Sequence, residues 1–186
     1  MEAYEALISR ASPLTLGEPA PDAETERKLI AAALRAPDHG RLRPWLFISI
    51  RGEDRLRLGE ILASSFRLRE PSAGADVVER ERQKALRAPL ILVVAARISD
   101  NPKIPAIEQI ISAGAAAQNV MLASHALGFG AMWKTGAAAY DPIVKEALGL
   151  RPNDQIAGFI YIGTTVAAPK SLPPLDPAGF LSELPR

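Results

Sequence analysis

The residues best suited to chemistry lie in one short loop that joins an apolar helix pattern to an apolar strand pattern. The loop reads Arg35-Ala36-Pro37-Asp38-His39-Gly40-Arg41-Leu42-Arg43-Pro44-Trp45. Three arginines and one histidine place four positive or protonatable groups within nine positions, and two prolines and a glycine shape the turns between them. Such a cluster suits an anion that carries a flat ring. The alternative is a tight helix-to-strand connection whose arginines simply point to water.

A second pair of donors lies near the amino terminus. The apolar pattern from Tyr4 to Ile8 predicts a short helix, which ends before Pro13 because proline disfavours helix in the residue that precedes it. Arg10 and Ser12 are then presented at the helix end, where both can donate to a phosphate or ring oxygen. The alternative is that Arg10 is an ordinary surface arginine.

Composition excludes several kinds of site. The 186-residue chain has no cysteine, which excludes thiol, disulfide, iron–sulfur and thiolate-zinc chemistry. Its two histidines, His39 and His125, lack metal-ligand spacing, and no G-x-S-x-G motif supports a serine hydrolase, so we expect neither a metal nor hydrolysis. A net charge of +1 argues against nucleic acid as a partner. Any redox function must therefore use a cofactor.

Length and hydropathy indicate the class of protein. The amino terminus lacks the basic and apolar regions of a signal peptide, and no apolar run approaches the ~18 residues that span a bilayer. We therefore expect a soluble, cytoplasmic protein without a membrane partner. A chain of this length can bury one core without disulfides, so residues 1–186 are predicted to form a single domain. Residues 164–186 are predicted to be a proline-rich, extended tail.

Periodicity predicts the elements that position these residues. Helices are expected at 22–35, 53–69, 106–127 and 142–148, and strands at 46–50, 90–96, 131–134 and 155–163. Asp22 and Asp141 are expected to cap helices, and Trp45 to pack in the core. The inward-facing residues are expected to include Leu29, Ile30, Ala33 and Leu34 of the first long helix, and Leu56, Ile61, Leu62 and Phe66 of the next.

Two further segments carry predictions. The helix at 106–127 is apolar nearly all round, and Gly114 among alanines permits close helix packing, which together favour a homodimer. Residues 76–87 are strongly charged and are expected to form a solvated helix. We assign that helix no role, although a lid over the site is the open alternative.

The order A-P-D-H-x-x-x-x-P-W, after a helix that ends in arginine, resembles the flavin-dependent nitroreductase family, and most closely its small single-domain NAD(P)H nitroreductases. The likeness covers most of the chain, and its motifs come in the family's order. They are Ser9-Arg10-Ala11-Ser12, Glu18-Pro19-Ala20-Pro21, Arg87-Ala88-Pro89-Leu90, Glu108-Gln109, Ser112-Ala113-Gly114, Gly128-Phe129-Gly130, Trp133-Lys134-Thr135-Gly136 and Gly158-Phe159-Ile160-Tyr161-Ile162-Gly163.

The resemblance implies a fold and an activity. The fold is α+β, three α/β/α layers around a mainly antiparallel sheet, in an intertwined homodimer with FMN at the interface. The activity is an FMN-dependent oxidoreductase that takes hydride from NADH or NADPH and reduces nitroaromatic, quinone or similar acceptors by a ping-pong mechanism. The resemblance identifies neither the physiological acceptor nor the preferred nicotinamide. A flavin-binding or regulatory protein with little turnover is the alternative.

The resemblance also implies site residues, while the flavin, not a side chain, carries the chemistry. Those implied for FMN are Arg10, Ala11, Ser12, Arg35, His39, Trp133, Lys134 and Thr135. Those implied for the nicotinamide dinucleotide are Ala123, Ser124, His125, Ala126, Leu127 and Gly128. In the family, the segments that match 10–12 and 35–39 typically meet the flavin from opposite subunits. Ala11 and Lys134 both replace arginines usual in the family, and lysine keeps the charge but loses the bidentate fork.

Overall fold

The fold was obtained as a computed structural model that describes residues 1–167 and 175–184. The helices are α1 (Ala3–Ser9), α2 (Ala23–Ala33), α3 (Asp54–Arg69), α4 (Ala75–Gln83), α5 (Ala106–Ala126) and α6 (Pro142–Ala147). The strands are β1 (Leu16–Gly17), β2 (Trp45–Arg51), β3 (Leu90–Ala96), β4 (Gly130–Lys134) and β5 (Gln155–Thr165). Single 3-10 turns lie at His39–Arg41, Lys84–Leu86, Ala137–Ala139 and Pro177–Gly179.

All strand pairs in the sheet are antiparallel. β3 and β4 both pair with residues 159–162 of β5, so they flank it, and β2 pairs with the other edge of β3. The short β1 pairs with the carboxyl end of β5. Every residue of β3 is buried, which explains its unbroken apolar sequence. The predicted α+β class and antiparallel sheet are confirmed.

Helices cover both faces of the sheet, because successive side chains of a strand point to opposite sides. One face, with Ile91, Val93 and Phe159, packs against α3 and α6. The other face, with Leu92, Val94 and Ile160, packs against α2 and α5. The three-layer arrangement predicted from the resemblance is therefore confirmed.

The helix caps follow the sequence closely. The Asp22 carboxylate accepts a hydrogen bond from the Thr25 backbone N–H at 2.7 Å, and Asp141 accepts one from the Ile143 backbone N–H at 2.8 Å. Pro142 occupies the first position of α6, where its missing N–H costs nothing. The capping predictions for both aspartates are confirmed.

Two predicted orientations are wrong. Leu34 follows the end of α2 and is 49% exposed, because the inner face of that helix is already formed by Leu29 and Ala33. Leu56 is 58% exposed. Leu56 lies two residues before the buried Leu58. Two residues correspond to a rotation of about 200° around the axis of α3, so Leu56 points away from the core.

The charged segment 76–87 contains α4, which is mostly exposed but contacts α3, and the predicted tail begins inside a strand. α4 packs on α3, since Val78 is buried and a Cβ added at Gly59 would lie 2.9 Å from the Arg82 carbonyl oxygen. Residues 164 and 165 continue β5. Of the predicted tail, residues 168–174 and 185–186 lie outside the described residues. No helix in the described part of the chain combines the length and apolarity needed to cross a membrane.

Buried carboxylates link neighbouring elements of the fold. Asp141 accepts hydrogen bonds from Ser65 Oγ at 2.6 Å and from the Arg69 guanidinium, which links α3 to the start of α6. Burial raises the pKa of Asp141, but hydrogen bonds from Ser65, the Ile143 N–H and Arg69, with the Arg69 charge, outweigh burial and leave that pKa below its ordinary value. Asp154 is similar: burial raises its pKa, yet Arg151 and the Ile98 N–H hold it low.

We expect Asp141→Asn to lower the free energy of unfolding by about 1–3 kcal/mol, because Arg69 then faces an uncharged amide in a buried network. A lowered folded-state pKa adds stability above the unfolded pKa, and this stability is lost as pH falls through the folded pKa. The difference from wild type should therefore be full at pH 7 and shrink below the ordinary carboxyl pKa of 3.8. Urea denaturation at several pH values measures it.

The matched control is Asp76→Asn, which removes a carboxylate from an exposed pair with Arg80 on α4. This surface change should have a much smaller effect at every pH. Equal losses in the two variants, or a loss in Asp141→Asn that does not change with pH, would contradict the assignment of this network.

Candidate functional site

The end of α1 brings Arg10, Ala11 and Ser12 to the start of β4. Ser9 Oγ is hydrogen-bonded to His125 Nε2 at 2.9 Å, which fixes this end of α1 to the carboxyl end of α5. The Arg10 guanidinium donates to Ser12 Oγ at 3.2 Å. A small cavity of about 140 Å³ lies here, lined in part by Arg10, Ala11, Phe129, Gly130 and Ala131. Two adjacent donors therefore lie beside the first residues of β4.

The segment from Ala123 to Gly128 ends α5 in a Schellman motif. The Gly128 N–H donates to the His125 carbonyl at 3.0 Å, and the Phe129 N–H donates to the Ser124 carbonyl at 2.9 Å. Gly128 has a φ of +85°, a left-handed conformation that favours glycine. Ser124 is buried, whereas Ala126, Leu127 and Gly128 are exposed. The structure thus gives this segment a helix-capping role, and its predicted nicotinamide contact stays a prediction.

The end of β4 sends neighbouring side chains to opposite faces of the sheet. Trp133 lies on the α5 face, where its Nε1 donates to the Ala157 carbonyl at 3.0 Å. Its indole occupies the space above Gly158, since a Cβ added there would lie 2.0 Å from Trp133 Nε1. Lys134 and Thr135 instead line a cavity on the α3 face. Of these three predicted flavin residues, only Lys134 and Thr135 reach that cavity.

This cavity has a volume of about 450 Å³, within the range of small-molecule sites. Its lining comprises Leu62, Phe66, Arg69, Glu70, Glu81, Lys84, Arg87, Lys134, Thr135, Gly136, Ala137, Ala138, Phe159 and Tyr161. Gly136 has a φ of +65°, and a Cβ added to it would meet no atom within 4 Å, so the backbone is open to a flat ligand here.

The sequence did not predict the α3 side of this cavity, and for residues 76–87 it offered only the open alternative of a lid. Phe66 belongs to the predicted apolar stripe of α3, and Lys84 belongs to the charged run whose open alternative is a lid. The one available signal was Arg87, a charged residue directly before a buried strand and part of a motif shared with the resembled family.

The loop that contains His39 is tied to the amino-terminal half of α5. His39 Nδ1 pairs with Glu108 Oε2 at 2.6 Å, and Ser112 Oγ donates to the Pro37 carbonyl at 2.6 Å. Trp45 is half-buried, and its Nε1 donates to the same Ser112 hydroxyl at 2.9 Å. Arg35 is exposed and takes part in no salt bridge among the described residues.

The loop around His39 has an unusual backbone. Arg41 and Arg43 have φ values of 56° and 50°, a left-handed conformation that is rare for residues with a side chain. The Asp38 carboxylate accepts from the Leu42 N–H at 3.2 Å and from the Arg43 N–H at 2.8 Å. Gly40 also has a positive φ, and a Cβ added there would lie 2.4 Å from Ile104 Cδ1. Asp38 and Ile104 therefore hold the loop in a defined shape, while Arg35, Arg41 and Arg43 are exposed.

The predicted FMN residues His39 and Arg10 do not meet within one chain. His39 is fixed at Glu108 and Ser9 is fixed at His125, and these anchors are 17 residues apart on α5. At 1.5 Å per residue, the anchors are separated by about 25 Å. One chain therefore gathers Arg10, Ala11 and Ser12 at the start of β4 and Lys134 and Thr135 at its end, while Trp133 of β4 points to the other face. Among the described strands, β4 pairs with β5 alone, so its other edge is free between these groups.

Comparisons with known proteins identify the family of this chain. Residues 15–164 match the model of the Nitroreductase family. The chain is 40% identical over 185 residues to YdjA of Escherichia coli strain K12, a protein named for a provisional NAD(P)H nitroreductase activity. The alignment covers 98% of this chain and 99% of YdjA.

Solved structures share the fold. A nitroreductase-like family protein from Bacillus cereus superimposes with a TM-score of 0.85 at 24% identity, covering 99% of this chain and 96% of the other. The Y88A mutant of NfnB from sphigopyxis sp. strain HMH, described as an FMN and NADPH-dependent nitroreductase, superimposes with a TM-score of 0.78 at 20% identity, covering 98% and 99%. Since the family model spans most of the chain and YdjA is similar over nearly its whole length, this chain belongs to the Nitroreductase family.

Proposed function

We propose that this protein is a homodimeric oxidoreductase that binds FMN, takes hydride from NADH or NADPH, and reduces nitroaromatic, quinone or similar acceptors by a ping-pong mechanism. Family membership and the NAD(P)H nitroreductase name of YdjA support an oxidoreductase that uses a nicotinamide donor. The observation that carries the FMN proposal is the placement of Arg10 and Ser12 at one end of the free edge of β4 and Lys134 and Thr135 at the other.

The residues at β4 fit a flavin mononucleotide. Arg10 and Ser12 lie within hydrogen-bond distance of each other, so both can donate to a single phosphate. None of the salt bridges of the described residues neutralises Arg10 or Lys134. The free strand edge offers backbone hydrogen-bonding groups to a ring, and the open space at Gly136 admits a flat one.

When bound, FMN would supply the electron transfer between the nicotinamide and the acceptor. The chain's own residues would bind and orient. Arg10 and Ser12 would hold the phosphate, and Lys134 would place a positive charge beside the ring. Trp133 fills the space between β5 and α5, so its role is to keep the end of β4 in position.

A second chain would complete the site. His39 lies too far from Arg10 to reach the same flavin within one chain, so its predicted contact requires a partner, and Arg35 belongs to the same loop. Exposed apolar residues lie at both anchors of α5: Ile107 and Ile111 near His39, and Leu7 and Ile8 on α1 near Arg10. A two-fold axis that sets two α5 helices antiparallel would bury these residues. It would also bring the His39 end of one helix beside the Arg10 end of the other.

The alternative function is a flavin-binding or regulatory protein with little turnover. It is favoured by Ala11, which removes a cation that the family usually places beside the phosphate. The rate of NADH or NADPH oxidation by the flavin-loaded protein distinguishes the two functions. A flavin-loaded protein that oxidises NADH or NADPH only slowly with every acceptor tested would support the alternative.

We expect purified protein to bind FMN, and Arg10→Ala to weaken that binding by about 10- to 100-fold, the effect of one lost charge-assisted hydrogen bond. Quenching of FMN fluorescence during titration into flavin-free protein measures the affinity. The matched control is Arg27→Ala, an exposed arginine on α2 outside the described salt bridges, which should leave the affinity unchanged. A wild-type protein that does not quench FMN would refute the cofactor proposal.

A mixing experiment tests the shared site. We expect Arg10→Ala and Arg35→Ala to be nearly inactive alone, because each damages both sites of its own homodimer. After subunit exchange, half the dimers of an equal mixture carry one intact site of two, so about a quarter of wild-type activity should return. The same mixture without exchange is the control. No recovery despite exchange, or a monomer by sedimentation, would contradict a site built from two chains.

A further inference from the structure

The cavity beside Lys134 combines flat apolar walls with positive charge. Phe66, Phe159 and Tyr161 contribute three aromatic side chains to its lining. The guanidinium of Arg69 lies 6.0 Å from the centroid of the Phe66 ring, so that ring is already partly covered by a cation. Phe159 and Tyr161 belong to β5 and are held rigidly by pairing with both β3 and β4. These walls suit an aromatic ring.

The positive charges of the cavity are not all neutralised. Arg69 pairs with Asp141, and Lys84 pairs with Glu81. Arg87 and Lys134 take part in none of the salt bridges of the described residues, and the one remaining acid of the lining is Glu70. The cavity thus holds an excess of positive charge that its own carboxylates do not balance.

A neutral hydroxyl lies close to that charge. Tyr161 is 6% exposed. Burial raises the pKa of Tyr161 to about 12, with Arg87 acting to lower it and Glu81 to raise it. The phenol therefore stays protonated at physiological pH and can donate a hydrogen bond. Because Arg87 and Tyr161 line the same cavity and interact electrostatically, one anionic group could accept from both.

We propose that this cavity selects aromatic acceptors that carry a carboxylate, with Arg87 as the residue that binds the carboxylate. The planar guanidinium presents a fork of donors that matches a carboxylate in geometry as well as charge. This inference rests on the proposed function, because it takes the cavity that contains Lys134 and Thr135 to be the acceptor side of the flavin site. Arg87 itself is separate from the residues proposed to hold FMN.

The reduction assumed for such an acceptor is balanced. One NADH or NADPH donates a hydride and is oxidised to its nicotinamide cation. The nitro group takes up that electron pair, the hydride hydrogen and one proton from solvent, becomes a nitroso group, and releases one water. Arg87 neither gains nor loses a proton in this step, so its effect should lie in recognition of the acceptor.

The test compares two acceptors that differ in charge, 4-nitrobenzoate and the uncharged 4-nitrobenzyl alcohol, with the FMN-loaded protein. We expect a higher kcat/KM for 4-nitrobenzoate. Arg87→Gln should lower that value by about 10- to 100-fold through the lost charge-assisted hydrogen bonds, and leave the alcohol unchanged. Arg87→Lys keeps the charge and should restore part of the difference. The matched control Arg80→Gln alters a paired surface arginine of α4 and should change neither acceptor.

A second measurement does not depend on turnover. Benzoate cannot be reduced under these conditions, and its binding can be measured by calorimetry with FMN-loaded and flavin-free protein. We expect wild type to bind benzoate and Arg87→Gln to bind it at least tenfold more weakly, with both proteins melting at similar temperatures. Failure of FMN binding would overturn the proposed function, whereas the benzoate titration of the same preparation would still report on the cavity.

Three results would overturn the inference. The first is an equal kcat/KM for the two acceptors in wild type. The second is an equal loss for both acceptors in Arg87→Gln, which would assign Arg87 to the flavin or to the fold. The third is the absence of benzoate binding in both forms of the wild-type protein.

Discussion

The length of α5 constrains the rest of the molecule. This helix is tied to the His39 loop through Glu108 and to the end of α1 through His125, so it holds two sets of polar side chains about 25 Å apart. Its inner face packs on the sheet, while Ile107 and Ile111 remain exposed beside one anchor. Because this helix keeps the two sets of polar side chains apart in one chain, it is the physical basis for proposing a site shared between two chains.

The alternation of side chains in β4 divides the local chemistry between two faces of the sheet. Trp133 points toward α5 and packs above Gly158, whereas Lys134 points toward α3 and the cavity. Trp133 therefore anchors β4 on the α5 face of the sheet, while Lys134 presents a positive charge to the cavity on the α3 face. Asp141 and Arg69 support the cavity side, because they hold α3 against the start of α6 beneath it.

Signals that act over a few residues predicted most of the fold. Asp22 and Asp141 cap helices within three residues of themselves, and the apolar run of β3 indicates a strand buried on both faces. Long-range contacts could not be predicted in the same way. His39 pairs with Glu108 across 69 positions, and the cavity combines α3, β4 and β5, so neither has a periodic pattern in the sequence. Leu34 and Leu56 were misassigned because an apolar residue at the margin of a helical stripe can face either way.

The backbone of the His39 loop has one more consequence. Left-handed conformations at Arg41 and Arg43 each cost on the order of 1–2 kcal/mol relative to ordinary geometry, and Asp38 with Ile104 holds the loop in that shape. The conformational entropy of this segment is therefore lost when the protein folds, and little remains to be lost when a ligand arrives. A ligand that contacts His39 would meet a surface that is already ordered, so more of its contact energy would appear as affinity.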